Sequence, residues 1–357
     1  MTLKVTDSSG NTVTPNFARG LTKQAVSGYV TFDAVALGLL AGNYKLEIDS
    51  VTRNGQAVTM TSPGASNSFG VTAAAPSQLR VATNAAGAKS GQAFSTQPVV
   101  EILDQDGSVT TSTATITLSA SGVTLVGTPT ATAVNGTATF AGTGITGVIG
   151  TKTLTFTTEI SGNTLSVNQS VVLANGSATA LRVSTQPVSK KTGATFGSAG
   201  TGPIVELVDA QGNRVLDSGS VAVSAQLKLA SDDSDVSGQV ETLNASSGLV
   251  DFSAADFVAL PASYKIAFSA SNLTSATSTN FAMTANDASV LAWQKAPPAS
   301  PTTIATGDNF DAVIKLEDAF GNPVVSDNTT SIAVTVSGAG TLTGATATAV
   351  NLSLIHI

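Results

Sequence analysis

Asp232, Asp233 and Asp235 form the densest cluster of oxygen ligands in this 357-residue chain, which has no cysteine and a single histidine, His356. Carboxylates this close are the raw material of a Ca2+ site, which takes about six to eight oxygens. The spacing departs from an EF-hand, which needs Gly at its sixth position and Glu at its twelfth. A solvated loop is therefore the expected reading, with Ca2+ as the weak alternative. Asp104, Asp106 and Asp287 are sparser acidic positions of the same kind. The absence of cysteine excludes disulfides and thiolate metal sites. Setting His356 aside, for the reason given below, nucleophilic triads lose their base and imidazole metal sites their ligand. Paired-carboxylate chemistry finds no support either, because the remaining acids sit at turns or singly on alternating strands. Neither an enzyme activity nor a bound cofactor is expected.

The elements that hold these residues read as strands. Charged residues make up 11% of the chain, against about 25% in an average soluble protein. Hydrophobic residues make up 42%, so the low charge does not signal disorder. Val and Thr at high density favour pleated strands, and 33 Gly with 12 Pro supply the turns. The net charge is −7 and no basic run exceeds Lys190-Lys191, which excludes a nucleic-acid footprint. No apolar run approaches the roughly 18 residues of a membrane span; Val35–Leu40 is the most apolar stretch, bounded by Gly38 and Gly42.

An internal repeat organises the strands. Asp-x-x-Gly-Asn/Ser recurs at Asp7–Asn11, Asp104–Ser108, Asp209–Asn213 and Asp318–Asn322, at intervals of 97, 105 and 109 residues. Each copy follows an alternating segment: Leu3-Lys4-Val5, Val100-Glu101-Ile102, Val205-Glu206-Leu207 and Ile314-Lys315-Leu316. Period-2 alternation around one charge predicts a strand with one wet face. The Asp carboxylate suits the first turn position, and Gly10, Gly107, Gly212 and Gly321 supply positive φ. A second anchor ends in Phe32, Phe140 and Phe252, each preceded four residues earlier by Gly28, Gly136 or Gly248. Twelve residues after each Phe a further strand opens, at Tyr44, Lys152 and Tyr264. Tyr44 and Tyr264 occupy the place where immunoglobulin sandwiches keep a tyrosine corner, and Lys152 breaks that pattern.

The expected architecture is all-β, a tandem of immunoglobulin-like antiparallel sandwiches in an elongated array. Its boundaries are 1–75, 76–178, 179–286 and 287–351. The first repeat is expected to lack its opening strand, because Met1 falls inside the strand before its anchor. The same cut accounts for the lack of a signal peptide. The fourth repeat is expected to be truncated. Thr341–Asn351 tracks Thr124–Asn135, but Leu352-Ser-Leu-Ile-His-Ile357 then replaces the Gly136–Phe140 pattern. That hexapeptide matches the translation of a transposase mosaic-end sequencing adapter, so 352–357 is expected to be a non-native tail.

Three further readings complete the survey. Trp293 is expected in a core and Phe320 at a hairpin tip, with an exposed aromatic binding spot as the alternative. The six Asn-x-Ser/Thr sequons, at Asn135, Asn168, Asn175, Asn244, Asn272 and Asn328, are what a Ser/Thr-rich chain produces by chance. The variable segment 226–247 is expected to project as a loop at one sandwich end.

The motifs together resemble the bacterial immunoglobulin-like (Big-type) repeats of large surface and secreted adhesin-like proteins. Leu181–Pro187, Gly193–Phe196, Pro203–Asp209, Gly212-Asn213, Gly248–Phe252 and Tyr264 carry the likeness. The resemblance implies an extracellular or cell-surface setting, with the repeats as structural spacers whose partners are neighbouring repeats. Recognition of a glycan or surface protein by end loops, or service as accessory domains of a large secreted enzyme, are the alternatives. Residues 179–286 alone are expected to fold, and a disordered circular-dichroism spectrum of that segment would refute the boundaries.

Overall fold

The computed structural model describes residues 1–297 apart from Phe17, Met60, Ser62 and Pro63, together with residues 312–335, 346–349 and 355–356. All regular structure among the described residues is strand, turn or bridge. The chain divides into two compact units, Met1–Gly176 and Ser177–Ile357. Each unit contains two separate hydrophobic cores.

Within the first unit, residues 78–173 form a sandwich of two main sheets, together with a small third sheet of Gln92–Ala93, Gly144–Thr146 and Thr124–Val126. One sheet orders Thr137–Thr139, Val99–Leu103 and Gln78–Thr83; the other orders Thr130–Thr132, Thr115–Ala120, Gly150–Ile160 and Asn163–Leu173. All pairings in both sheets are antiparallel. Alternation decides which side chains enter the core. Val100 and Ile102 are buried on one sheet, and Ile116, Leu118, Leu154 and Phe156 on the other. Phe140 and Phe156 meet across the interior with ring centroids 5.4 Å apart. The charge between Val100 and Ile102 stays on the wet face, where Glu101 receives Arg80 from the neighbouring strand at 2.6 Å.

In the second unit, residues 180–284 repeat this plan. Ala180–Thr185, Ile204–Val208 and Leu249–Asp251 make one sheet. Lys190–Lys191, Phe281–Thr284, Ala262–Ser269, Ala222–Leu229 and Asp235–Asn244 follow one another in the other. Phe252 and Phe268 meet at a tilt with ring centroids 5.3 Å apart, in the position of the Phe140–Phe156 pair. Both full sandwiches use the same tight reversal before the Phe anchor. Asn135-Gly136 and Ser247-Gly248 all have left-handed φ. A Cβ on Gly136 would lie 2.2 Å from Thr110 O, and one on Gly248 2.3 Å from Val215 O. Glycine is required there by the backbone conformation and by the close approach of a neighbouring backbone carbonyl.

The first repeat departs from the plan. Its strand Thr2–Asp7 pairs directly with Gly42–Ser50, Val5 opposite Leu46, in the order Thr12–Val13, Thr2–Asp7, Gly42–Ser50, Phe69–Val71. In the full sandwiches the corresponding strands lie on opposite sheets. The cause is a short interval. Asp7 and Phe32 are 25 residues apart, against 36 for Asp104–Phe140 and 43 for Asp209–Phe252. The longer intervals hold the strands Thr115–Ala120 and Ala222–Leu229, which pair with the late strand of their repeats. Where that strand is missing, Thr2–Asp7 takes the open edge. Phe32 is consequently half-buried, whereas Phe140 and Phe252 are fully buried. The core here is Val5, Leu39 and Tyr44 with a few half-buried neighbours.

The fourth repeat pairs Val290–Lys295 with Val313–Glu317, and Ser331–Ala333 with Thr346–Thr348. The backbone of Ile355–His356 pairs with Val313–Ile314, the place held by Thr137–Thr139 in the second repeat. Thr341–Ala345 and Val350–Leu354 lie outside the described residues, as does Ile357. Trp293 corrects the expectation of a core tryptophan: it is 51% exposed. The described core of this repeat is Ile314, Leu316, Ile332 and Ala349, with half-buried Ala288, Val334 and Ala347, and Trp293 is not among them.

Phe252→Ala is expected to cost the third repeat about 3–5 kcal/mol, the range for truncating a buried Phe. Phe32→Ala should cost the first repeat far less. Chemical denaturation monitored on each repeat would measure both, and equal losses would contradict the altered topology of the first repeat.

Candidate functional site

The feature that recurs with a defined geometry is the hairpin aspartate and what it holds. In each repeat one carboxylate oxygen closes the turn. Asp104 Oδ1 accepts Asp106 N at 3.0 Å and Ser108 N at 2.8 Å. Asp7, Asp209 and Asp318 do the same with the N–H groups two and four residues on, at 2.8–2.9 Å. Gly10, Gly107, Gly212 and Gly321 sit at positive φ, and their N–H groups return to the Asp carbonyl.

The second oxygen reaches further. Asp104 Oδ2 accepts Ala74 N at 2.8 Å, and Asp318 Oδ2 accepts Asn286 N at 2.8 Å. Ala74 and Asn286 belong to the linkers that precede the second and fourth repeats. The carboxylate that shapes a hairpin therefore also fixes the incoming chain. Asp104 and Asp318 are almost fully buried. Asp7 Oδ2 instead takes the Asn11 side-chain amide at 3.0 Å, and Asp7 is half-buried.

Further contacts complete each junction. Between the first and second repeats, Ser108 Oγ accepts Ala41 N at 2.7 Å and Asp106 O accepts Asn16 Nδ2 at 3.3 Å. Between the third and fourth, Asn286 Nδ2 donates to Thr192 O at 3.2 Å, Lys191 pairs with Asp287, and the Phe320 ring lies on Gly193. Phe320 is thus a hairpin-tip residue seated on the preceding repeat. Tyr44 Oη donates to Leu40 O at 2.9 Å and Tyr264 Oη to Leu260 O at 2.7 Å, each bracing the loop before its own strand.

The electrostatics follow from the donors. Burial by itself would raise the Asp104 carboxyl, but the N–H groups of Ala74, Ser108, Asp106 and Gly107 outweigh it and hold the group below its ordinary 3.8. For Asp318 burial is likewise opposed, by the Asn322 side chain and by the backbone of Asn322, Asn286 and Phe320, with the same net lowering.

The acidic cluster does not converge. Asp232 Oδ1 accepts the backbone and hydroxyl of Ser234, Asp233 pairs with Lys265, and Asp235 pairs with Lys228. No group of three or more His, Cys, Asp or Glu among the described residues is placed to hold a metal ion. Segment 226–247 corrects the expectation of a projecting loop. Ala222–Leu229 and Asp235–Asn244 form a long paired hairpin with one irregularity, and the three aspartates lie at its tip. Among the described residues no helix is long and apolar enough to cross a membrane.

Sequence reasoning missed two kinds of residue. The linker donors Ala74 and Asn286 act through backbone N–H, which side-chain identity does not reveal. Lys190 lies on a strand edge yet is only 8% exposed. Aligning Phe94 with Phe196 places Lys190 on Ala88, and a lysine at a buried alanine position was the available signal.

The sheets and cores define the class: a tandem of all-β, immunoglobulin-like sandwich repeats. No protein-family model matches the chain, and no curated protein matches it. Similar solved structures include the FN1–FN3 domains of chicken CNTN1, at 11% identity over 79% of this chain and 89% of that one, with a TM-score of 0.28. Fibronectin(III)-like modules of Clostridium thermocellum CbhA share 10% identity over 58% of this chain and 94% of that one, TM-score 0.19. A β-glycosidase from Bacteroides vulgatus shares 8% over 57% of this chain and 24% of that one, TM-score 0.23.

Asp104→Ala or Asp318→Ala is expected to cost on the order of 3 kcal/mol, because several N–H groups lose their acceptor at once. Asp7→Ala should cost less. A folded-state pKa held below the unfolded value stabilises at pH above 3.8, and that contribution is lost as pH falls through the folded value. Acid titration of wild-type and Asp104→Ala chains would show it: the variant should lose less stability on acidification, and parallel curves would count against the clamp.

Proposed function

We propose that the chain is a run of structural spacer repeats of the bacterial immunoglobulin-like (Big) type, from a large extracellular or cell-surface adhesin-like protein. The observation that carries this reading is the double use of the hairpin aspartate. Asp104 and Asp318 each close their own turn through one oxygen and hold the linker of the repeat before through the other, which in Asp318 also takes the Asn322 amide. A spacer needs that property, since it must transmit orientation and load from one fold to the next through a short connection.

The repeats' partners, in this reading, are their own neighbours. The chain takes no part in catalysis and needs no cofactor, nucleic acid or membrane span for this role. Recognition of a glycan or surface protein was tied to 226–247 as a projecting loop. Its pairing into a hairpin, with Asp235 paired to Lys228, Asp233 to Lys265 and Asp232 taken by Ser234, weakens that support.

Pulled between its ends in a single-molecule force experiment, the chain should unfold in separate events. Each full sandwich should release on the order of 300 Å of chain, the reach of about 100 extended residues less the folded span. One cooperative event spanning both full sandwiches would overturn independent load-bearing repeats.

A further inference from the structure

Lys190 is the one strongly buried cation among the described residues, and its surroundings are built around it. Its Nζ donates to Ala194 O at 2.7 Å and to Ala255 O at 3.2 Å. The ammonium lies 4.5 Å from the Phe196 ring centroid and 5.4 Å from that of Phe257. Two carbonyls and two ring faces are acceptors for a cation, but none of them is a counter-ion.

The residues that follow Lys190 form the platform of the junction to the fourth repeat. Lys191 pairs with Asp287, Thr192 O accepts the Asn286 side chain, and Gly193 lies under Phe320. The segment is held from below by Thr192 N on Thr284 O and Gly193 N on Phe257 O. The second repeat has the same segment with Ala88 in place of the lysine: Ser90 N bonds Ala174 O and Gly91 N bonds Ile145 O.

We propose that Lys190 links the junction between the third and fourth repeats to pH: the platform 190–194 holds a desolvated charge when the amine is protonated and tightens when the proton leaves. The sign follows from the cage. Any opening that lets water reach Nζ favours the ammonium, so protonation favours the open platform and deprotonation the closed one. The neutral amine keeps two N–H donors for the two carbonyls, so closure loses no hydrogen bond. Burial holds the group down to about 8 from its ordinary 10.5, and Asp256 pulls the other way. Among the described residues, the other charged or titratable groups around the platform are Lys191 and Asp287, which pair with each other, and Tyr264, whose phenol burial pushes up. Below pH 8 the platform and its openings are both protonated and the equilibrium is flat. Between 8 and about 10 the closed form has lost its proton and the open form has not, so protection rises with pH. Above that window Tyr264 opposes the trend. This device holds whether or not the repeats serve as spacers.

Hydrogen exchange on the full chain, corrected for intrinsic rates, tests it between pH 6 and 10. Protection of the Thr192, Gly193 and Ala194 amides should be flat below pH 8 and rise by up to tenfold per unit above it. Ser90, Gly91 and Gln92 of the same chain serve as the internal control and should not rise. Lys190→Met should abolish the rise. A flat profile at 192–194, or an equal rise at 90–92, overturns the proposal. A rise at 192–194 without one at the Asn286 amide would overturn the coupling to the junction.

Discussion

A single carboxylate with two uses is the constraint on which the junctions rest. Asp104 and Asp318 are almost fully buried, and a buried carboxylate is costly unless each lone pair is met. In Asp104 the hairpin alone meets one oxygen, and in Asp318 the Asn322 side chain also reaches the second at 3.0 Å. In both, the incoming linker brings a backbone N–H to the second oxygen. Folding of the hairpin and docking of the linker are thus two halves of one desolvation problem. Asn in place of Asp would present an amide donor to N–H groups, and Glu would overreach the turn. The residue type at this anchor is dictated by both halves together.

The sandwiches hang on that hairpin through alternation. The strand entering the turn points Val100 and Ile102, or Val205 and Leu207, inward, and leaves Glu101 or Glu206 outside to meet Arg80 or Arg182. The buried pair Phe140–Phe156, matched by Phe252–Phe268, then joins one sheet to the other. The repeats keep these features while their loops vary, because a slip of one residue would turn every apolar side chain to water.

Much of this was legible in the sequence, and what was not has physical reasons. The Asp–Gly hairpins and the 12-residue step from Phe to the late strand are local, so they survive in all the copies that contain them. Sheet membership is not local. The first repeat keeps Gly28, Phe32 and Tyr44, yet its strands pair differently because the interval holding a central strand is short. Segment 226–247 reads as a loop because Asp232, Asp233 and Asp235 dominate its composition, although in the paired hairpin Gln239, Glu241 and Leu243 alternate with exposed neighbours as a strand does. Trp293 was placed in a core on residue type alone, and aromatic character does not say how much core a repeat has to offer.

Lys190 shows how charge and burial can be read together. On composition it is half of the longest basic run, Lys190-Lys191. Only its match to Ala88 places it inside, where Lys191 stays outside and pairs with Asp287. The pair is thus divided by the sheet: one lysine caged by Phe196 and Phe257, the other reaching across to the fourth repeat. A strand of two residues is enough for this, since successive side chains point to opposite faces. Lys190 in its cage and Lys191 at the junction are accordingly joined by one peptide bond.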